Sequence, residues 1–437
     1  MTNHIFETAS NILSEGPICD HCMGRMFAKL STGLSNDQRG AAIKLSLAME
    51  ADRIRNETSD DSMLQLLSHS SVNARKSLKE EGTSGKCWVC NSLFEQLDIW
   101  ADRVVDALEG YEFDTFLIGT RPSGLLIENE EILWAASGTA WPEPLKTEMN
   151  REVGRRVEEK LGKKADLKTP HITALLDIDR EDVELEIRSQ YIYGRYRKLI
   201  RGIPQTRWPC RECHGRGCER CNFTGAMYPE SVDELIKPEV IKATESVDTV
   251  FHGAGREDID ALMLGRGRPF IVEAEEPLRR HIDLTRLQHR INRHAAGKVE
   301  VEGLKFVSHR AVEAIKQAKA DKVYRLRVTF KVQVSEEKLI SAIDVLARTP
   351  INQRTPTRVS HRRADLERVR AIHNIELEQI SPDGRIATIV VSCQGGLYVK
   401  ELVSGDDGRT VPSLARNLDV EATVTELDVI KVEETFI

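Results

Sequence analysis

The chain has no run of about 18 apolar residues, the length that crosses a bilayer as a helix, so no membrane-spanning helix is expected. Its first residues, MTNHIFETAS, lack the basic and then apolar order of a secretory signal, which points to the cytosol. A phosphate-cradling G-x-x-x-x-G-K-[ST] segment is missing. The glycines between Phe251 and Phe270 do not follow G-x-G-x-x-G after a strand either, so no nucleotide cofactor is indicated. Repeats and low-complexity tracts are also missing. Nor is there an excess of positive charge: the formal net charge is −7, which taken alone disfavours a polyanion partner.

The distribution of charge says more than its sum. Between Tyr191 and Cys221 stand Arg195, Arg197, Lys198, Arg201, Arg207, Arg211, Arg216 and Arg220 against Glu212 and Glu219. A second basic block, from Gln353 to Arg370, includes Arg354 and Arg358 against Asp365 and Glu367. Such blocks inside an acidic chain suit RNA or DNA held against one face, although each alone reads equally well as solvated surface. At 437 residues the chain exceeds one ordinary core and implies two or three domains.

Cysteine is sparse but ordered. CDHC supplies Cys19 and Cys22, CWVC supplies Cys87 and Cys90, and CRECHGRGCERC supplies Cys210, Cys213, Cys218 and Cys221. Paired C-x2-C in a cytosolic chain implies metal rather than disulfides. Two knuckles complete a tetrahedral Zn²⁺ site with no open position, so the first four cysteines read as scaffold around the segment near Gln38 to Met49. The second group reads as a further zinc site, with an Fe–S cluster or redox pair as the alternatives. Cys393, in ATIVVSC, reads as a core residue.

Periodicity divides the rest. FDTFLIG, HITALLDI and VELEIRS read as strands and NREVGRRVEEKLGKK as a helix, giving a small α/β domain that ends near residue 190. YIYGRYRKLIRGIPQTRW reads as a basic linker. A second α/β region begins near 225 with the helix SVDELIKPEVIKAT. VYRLRVTFKV alternates, with Tyr324, Leu326, Val328, Phe330 and Val332 on one face. EKLISAIDVLA reads as a helix, INQRTPTRVSHRRAD as a long basic loop, and IELEQISPDGRIATIVVS as a hairpin turning at Asp383 and Gly384. YVKELVSG and ATVTELDVIKVEE close the chain as a short helix and a last strand. The expectation is an α+β sheet with one helical face, residues 191–437, after a domain of residues 1–190.

FHGAGREDIDALMLGRGRPF raises the sharpest question. Its apolar run is too short and broken for an ordinary buried strand, so a loop open to close approach by an RNA phosphate is expected. No histidine–carboxylate cluster surrounds Asp258, which argues against a metal. An aspartate kept ionised beside a cation there can act as a nucleophile.

GRED, at 255 to 258, resembles the active-site loop of pseudouridine synthases. The longer string, together with the N-terminal C-x2-C pairs, YIYGRYRKLIRGIPQT, the second cysteine group, QRTPTRVSHRRAD and YVKELVSGDDGRT, resembles the archaeal tRNA pseudouridine synthase family that modifies uridines 54 and 55 of the T loop. The resemblance covers nearly the whole chain. It implies a zinc-knuckle and THUMP-like α/β RNA-binding domain followed by a mixed-sheet synthase domain. It further implies Asp258 as the catalytic nucleophile, Tyr324 as the ring that stacks on an extruded uracil, and Lys400 as the cation paired with Asp258. Leu427 becomes an apolar contact of the base, or a plain core leucine. Asp260 is expected to be structural, bonded to the loop backbone.

Tyr398 is expected to touch the substrate. Arg195, Arg197, Lys198, Arg201, Arg256, Arg354 and Arg358 are expected to contact RNA. The reaction implied needs no cofactor, the partner is the T arm of tRNA, and the protein is a cytoplasmic monomer. Two rivals remain: a non-catalytic zinc-containing RNA-binding protein, and a THUMP-containing RNA methyltransferase or thiolation enzyme. The second would need a cofactor loop that this sequence does not offer.

Overall fold

The computed structural model describes residues 4–82, 85–138, 140–318 and 320–433. The chain divides into Met1–Arg188 and Ser189–Ile437.

In the first unit, β1 (Thr115–Arg121), β2 (Lys164–Ala165), β3 (Ile172–Asp177) and β4 (Asp182–Ile187) form one sheet in the order β2-β1-β3-β4. The parallel pairs β1–β2 and β1–β3 need crossovers, and Leu145–Leu161 supplies a helix that lies on β1. The short helix Asp20–Arg25 crosses Asn36–Thr58 at Gly24 and Gly40. A Cβ at Gly24 would lie 1.8 Å from the Asn36 carbonyl oxygen, so only glycine allows this crossing.

The second unit is built on an eight-stranded mixed sheet. Its strands are β5 (Gln190–Lys198), β6 (Asp248–Gly253), β7 (Ala261–Glu275), β8 (Val299–Val307), β9 (Lys322–Phe330), β12 (Ile372–Ile380), β13 (Ile386–Cys393) and β15 (Ala422–Val432). The order is β12-β13-β9-β15-β7-β5-β8, with β6 also paired to β7. β10 (Ile351–Arg354), in the segment expected to be a long basic loop, joins β11 (Glu367–Arg370) and β14 (Thr410–Val411) in a separate three-stranded sheet.

Two expectations change here. The basic linker is β5, an interior strand flanked by β7 and β8, and its aromatic and β-branched residues are the strand formers that the arginines obscure. The broken apolar run is the start of β7, a strand of 15 residues. Between Met263, paired with Lys198, and Arg268, paired with Tyr196, β7 bulges. Gly265 and Gly267 sit in the bulge at φ +57° and +70°, and a Cβ on either would strike the Ile430 or Tyr196 carbonyl oxygen at 2.1 or 2.5 Å. These glycines serve strand packing rather than phosphate approach.

Helices Val232–Thr244 and Leu284–His294 pack with Ile192, Tyr196 and Met263. Helices Glu336–Arg348, Val399–Ser404 and Leu414–Leu418 pack with Leu326, Val328 and Leu427. Tyr324 touches both clusters. The opposite face is not bare: Arg310–Gln317 covers Ile271, Tyr191 and Tyr193.

Candidate active site

Asp258 lies in the loop between β6 and β7, where the Ala261 N–H donates to its main-chain oxygen at 3.0 Å. Its carboxylate meets two cations. Arg358 Nη1 stands 3.1 Å from Oδ1 and Lys400 Nζ 3.4 Å from Oδ2. Arg358 comes from the short 3₁₀ segment Thr357–Arg362 and is oriented by the buried Glu401, whose Oε1 accepts from Arg358 Nε at 2.6 Å. The Arg358 guanidinium also lies over the Tyr398 ring at 5.9 Å.

Lys400 is shared. Its Nζ donates to both oxygens of Asp260, at 2.8 and 2.7 Å, closer than to Asp258. Burial opposes ionisation of Asp260, but the Lys400 bonds prevail and hold its carboxyl below the usual range. The expected backbone anchor for Asp260 is thus mainly a lysine contact. Asp258 gains Arg358, which sequence spacing assigned to RNA.

Tyr324 stands in β9 between Val391 of β13 and Val429 of β15. Burial raises its phenol above the ordinary value, and the Asp258 charge adds to the rise, so the ring stays neutral within electrostatic reach of that carboxylate. Leu427 is buried between Leu326 and Ala261. Tyr398 caps the helix that carries Lys400, and its main-chain N–H donates to Gln353 Oε1 at 2.8 Å.

The β5 cations do something other than contact phosphate. Lys198 is wholly buried, and its Nζ donates to the carbonyls of Ile203, Asp258 and Ile259 at 3.0, 3.2 and 3.0 Å. Arg195, also buried, donates to the bulge carbonyls of Arg266 and Gly267 and to Val432. Buried carbonyls need such partners. Arg201 joins the Asp260 and Leu427 carbonyls at 2.8 and 2.7 Å and pairs with Asp428, and Arg197 pairs with Glu300. The expectation of RNA contact by Arg195 and Lys198 is therefore corrected, because both are enclosed by the chain's own backbone. Arg354 is exposed and pairs with Asp365, and Arg256 lies 4.5 Å above the Trp208 ring.

One network escaped the sequence reading. Glu257, buried beside Asp258, pairs with Arg268 Nε at 2.8 Å and accepts from the Tyr196 hydroxyl at 2.8 and 2.9 Å. Gln205 Nε2 donates to that hydroxyl and to the Gly255 carbonyl. Only the placement of a second acid inside GRED hinted at it.

Each cysteine group, Cys19–Cys22–Cys87–Cys90 and Cys210–Cys213–Cys218–Cys221, gathers its sulfurs within 4.8 Å. The Cys19–Cys90 sulfur distance of 3.7 Å, and those of Cys210–Cys218, Cys213–Cys221 and Cys218–Cys221 at 3.8, 3.8 and 3.7 Å, match the tetrahedral edge of about 3.8 Å implied by metal–sulfur bonds of about 2.3 Å. Both groups are able to hold a metal ion.

Residues 191–433 match the family described as "Pus10, C-terminal", and residues 100–177 match "Pus10 THUMP domain, archaeal". The tRNA pseudouridine synthase Pus10 of Methanothrix thermoacetophila is 53% identical over 99% of this chain and 95% of its own length. Its counterparts in Halorubrum lacusprofundi and Methanocaldococcus jannaschii are 42% and 40% identical over 98% and 97% of this chain, and over 96% and 93% of their own lengths. A mixed α+β chain with a THUMP domain before the sheet that carries Asp258, matched end to end by these relatives, belongs to the Pus10 family of tRNA pseudouridine synthases.

Proposed function

We propose that this synthase converts uridine 54 and uridine 55 of the tRNA T loop to pseudouridine, with Asp258 as the nucleophile on a flipped-out base. The observation that carries the reading is the Asp258 carboxylate, held between Arg358 and Lys400 within electrostatic reach of Tyr324. Two cations hold the carboxylate in place, and a carboxylate is a group able to act as a nucleophile. Extruding the uridine costs roughly a few kcal/mol, and stacking on Tyr324 offsets part of that.

The chemistry is an isomerisation. The N1–C1′ bond breaks, the uracil rotates, and C5 bonds to C1′. C5 gives up its proton and N1 takes one, so no atoms or electrons are gained and no cofactor is consumed. One carboxylate flanked by cations serves either a covalent attack or a glycal route.

Each four-cysteine group holds a structural Zn²⁺ in this reading. Four protein ligands close the coordination sphere, so the metal would hold the chain in place and take no part in the chemistry. A monomer is the working unit in this reading. Thiols gathered for metal suit the reducing cytoplasm.

Incubating the purified protein with a T-arm transcript and mapping pseudouridine tests the reading. Conversion at positions 54 and 55 is expected. Conversion elsewhere, or nowhere, by folded and metal-loaded protein would overturn it.

A further inference from the structure

The second cysteine group sits on a knuckle whose tip carries an aromatic ring in solvent. Phe223 is 74% exposed. A scattered surface phenylalanine is ordinary, but this one also adopts φ +61°, a left-handed conformation that a bulky residue occupies only where the surroundings impose it. The imposition is visible. The Phe223 N–H donates to the Cys218 carbonyl at 2.9 Å, and its own carbonyl presses so close to Gly217 that a Cβ there would lie 2.8 Å away. Gly225 is tighter still, since a Cβ there would lie 2.3 Å from the Gly215 carbonyl oxygen. The ring is thus presented outward by a rigid turn instead of folding back.

The loop that carries it is mixed in charge, with Arg211, Arg216 and Arg220 against Glu212 and Glu219. Arg216 and Arg220 are exposed on the same short loop. Arg216 Nε donates to the Cys213 carbonyl, and Arg220 has only a loose contact, 3.8 Å, with the exposed Glu212. At the root of the knuckle, the Met227 N–H donates to the Trp208 carbonyl at 2.9 Å, and the Trp208 ring carries Arg256, two residues before Asp258. A ligand held at the tip is therefore tied through a short rigid path to the loop that holds the candidate nucleophile.

We propose that this tip is a binding site for an unpaired RNA base outside the target position, with Phe223 stacking on the base and Arg216 and Arg220 meeting its flanking phosphates. The proposal rests on the reading of tRNA as substrate and adds a second point of contact. An exposed aromatic ring on a loop that also carries exposed arginines is a combination that single-stranded nucleic acid binds, because every base has a π-face and every linkage a charge.

The test uses the full chain and a T-arm hairpin carrying 2-aminopurine at unpaired loop positions other than the target. Phe223→Ala and Phe223→Leu should each weaken hairpin binding about tenfold or more, the range that base–aromatic stacking supports. Both should abolish the fluorescence quenching at one loop position, and Phe223→Trp should restore both signals. Joint Arg216→Ala and Arg220→Ala should lower the slope of log affinity against log salt by roughly 1 to 2. Conversion at saturating protein should keep the wild-type rate in every variant. Because Phe223 is exposed, its replacements should keep the metal content of the parent.

Wild-type affinity and quenching in Phe223→Ala would overturn the proposal. So would Phe223→Leu binding as tightly as Phe223→Trp, since that would mean mere greasiness. A parent protein that converts no RNA would refute the synthase reading of the T loop instead, while the binding and quenching measurements still judge the platform.

Discussion

Lys198→Met separates a buried clamp from a phosphate contact. The ammonium is fully enclosed and bonds to three carbonyls, two of them in the loop that carries Asp258. Burial lowers its pKa, opposed by the charges of Glu257 and Asp260, so enclosing the cation is itself unfavourable. Methionine fills nearly the same volume and donates nothing. The Asp258 and Ile259 carbonyls keep the Ala261 and Gly202 N–H donors, but the Ile203 carbonyl loses its lysine donor, which costs about 1–3 kcal/mol, offset in part by the ammonium no longer being buried. A net loss of about 1–2 kcal/mol from the second unit is expected. The chemical consequence should exceed the stability effect, because a reacting group displaced by about 1 Å can lose roughly a hundredfold in rate. Single-turnover conversion at saturating protein should fall by about that factor, while RNA affinity and its salt dependence stay put. A wild-type rate with weakened binding and a salt slope smaller by about 1 would instead make Lys198 a phosphate contact and refute the clamp.

Three further outcomes follow from the same geometry. Glu257→Gln strands the buried Arg268 and should cost about 3–5 kcal/mol in urea unfolding, whereas adding Arg268→Met should recover much of it; an unchanged midpoint in the single variant would contradict the network. Burial lowers the Lys322 amine from 10.5 to about 8, so between those pH values the unfolded chain binds the extra proton and stability should rise with pH. Urea unfolding of wild type minus Lys322→Met should show that rise, and a flat difference would sink it. Cys87→Ser should cut the zinc content from about two ions per chain to about one and destabilise the first unit, as plasma emission and thermal melting can check; an unchanged metal count would remove Cys87 from the ligand set.

Strands that alternate cleanly, such as β9 and the β12–β13 hairpin, are legible because one face is wet and the other dry. β5 is not, because its cations are inside. Arg195 and Lys198 look like surface charge until the bulge and loop carbonyls they satisfy are in view, and nothing in the spacing announces those carbonyls. β7 is hidden for a related reason, since two glycines interrupt its apolar pattern to let neighbouring strands close in. At the candidate site, Asp258, Tyr324 and Lys400 are readable through resemblance. The Arg358 contact joins residues 100 positions apart, and only the folded chain brings them together.

Single-turnover release of tritium from C5-labelled uridine in a T-loop substrate tests the role of Asp258 most directly. Asp258→Asn keeps the shape of the side chain but removes the charge that faces Arg358 and Lys400. Release should fall to undetectable levels with tRNA binding little changed, while Asp260→Asn, at an exposed carboxylate, should retain measurable activity. Tritium release at the wild-type rate from Asp258→Asn would contradict the account.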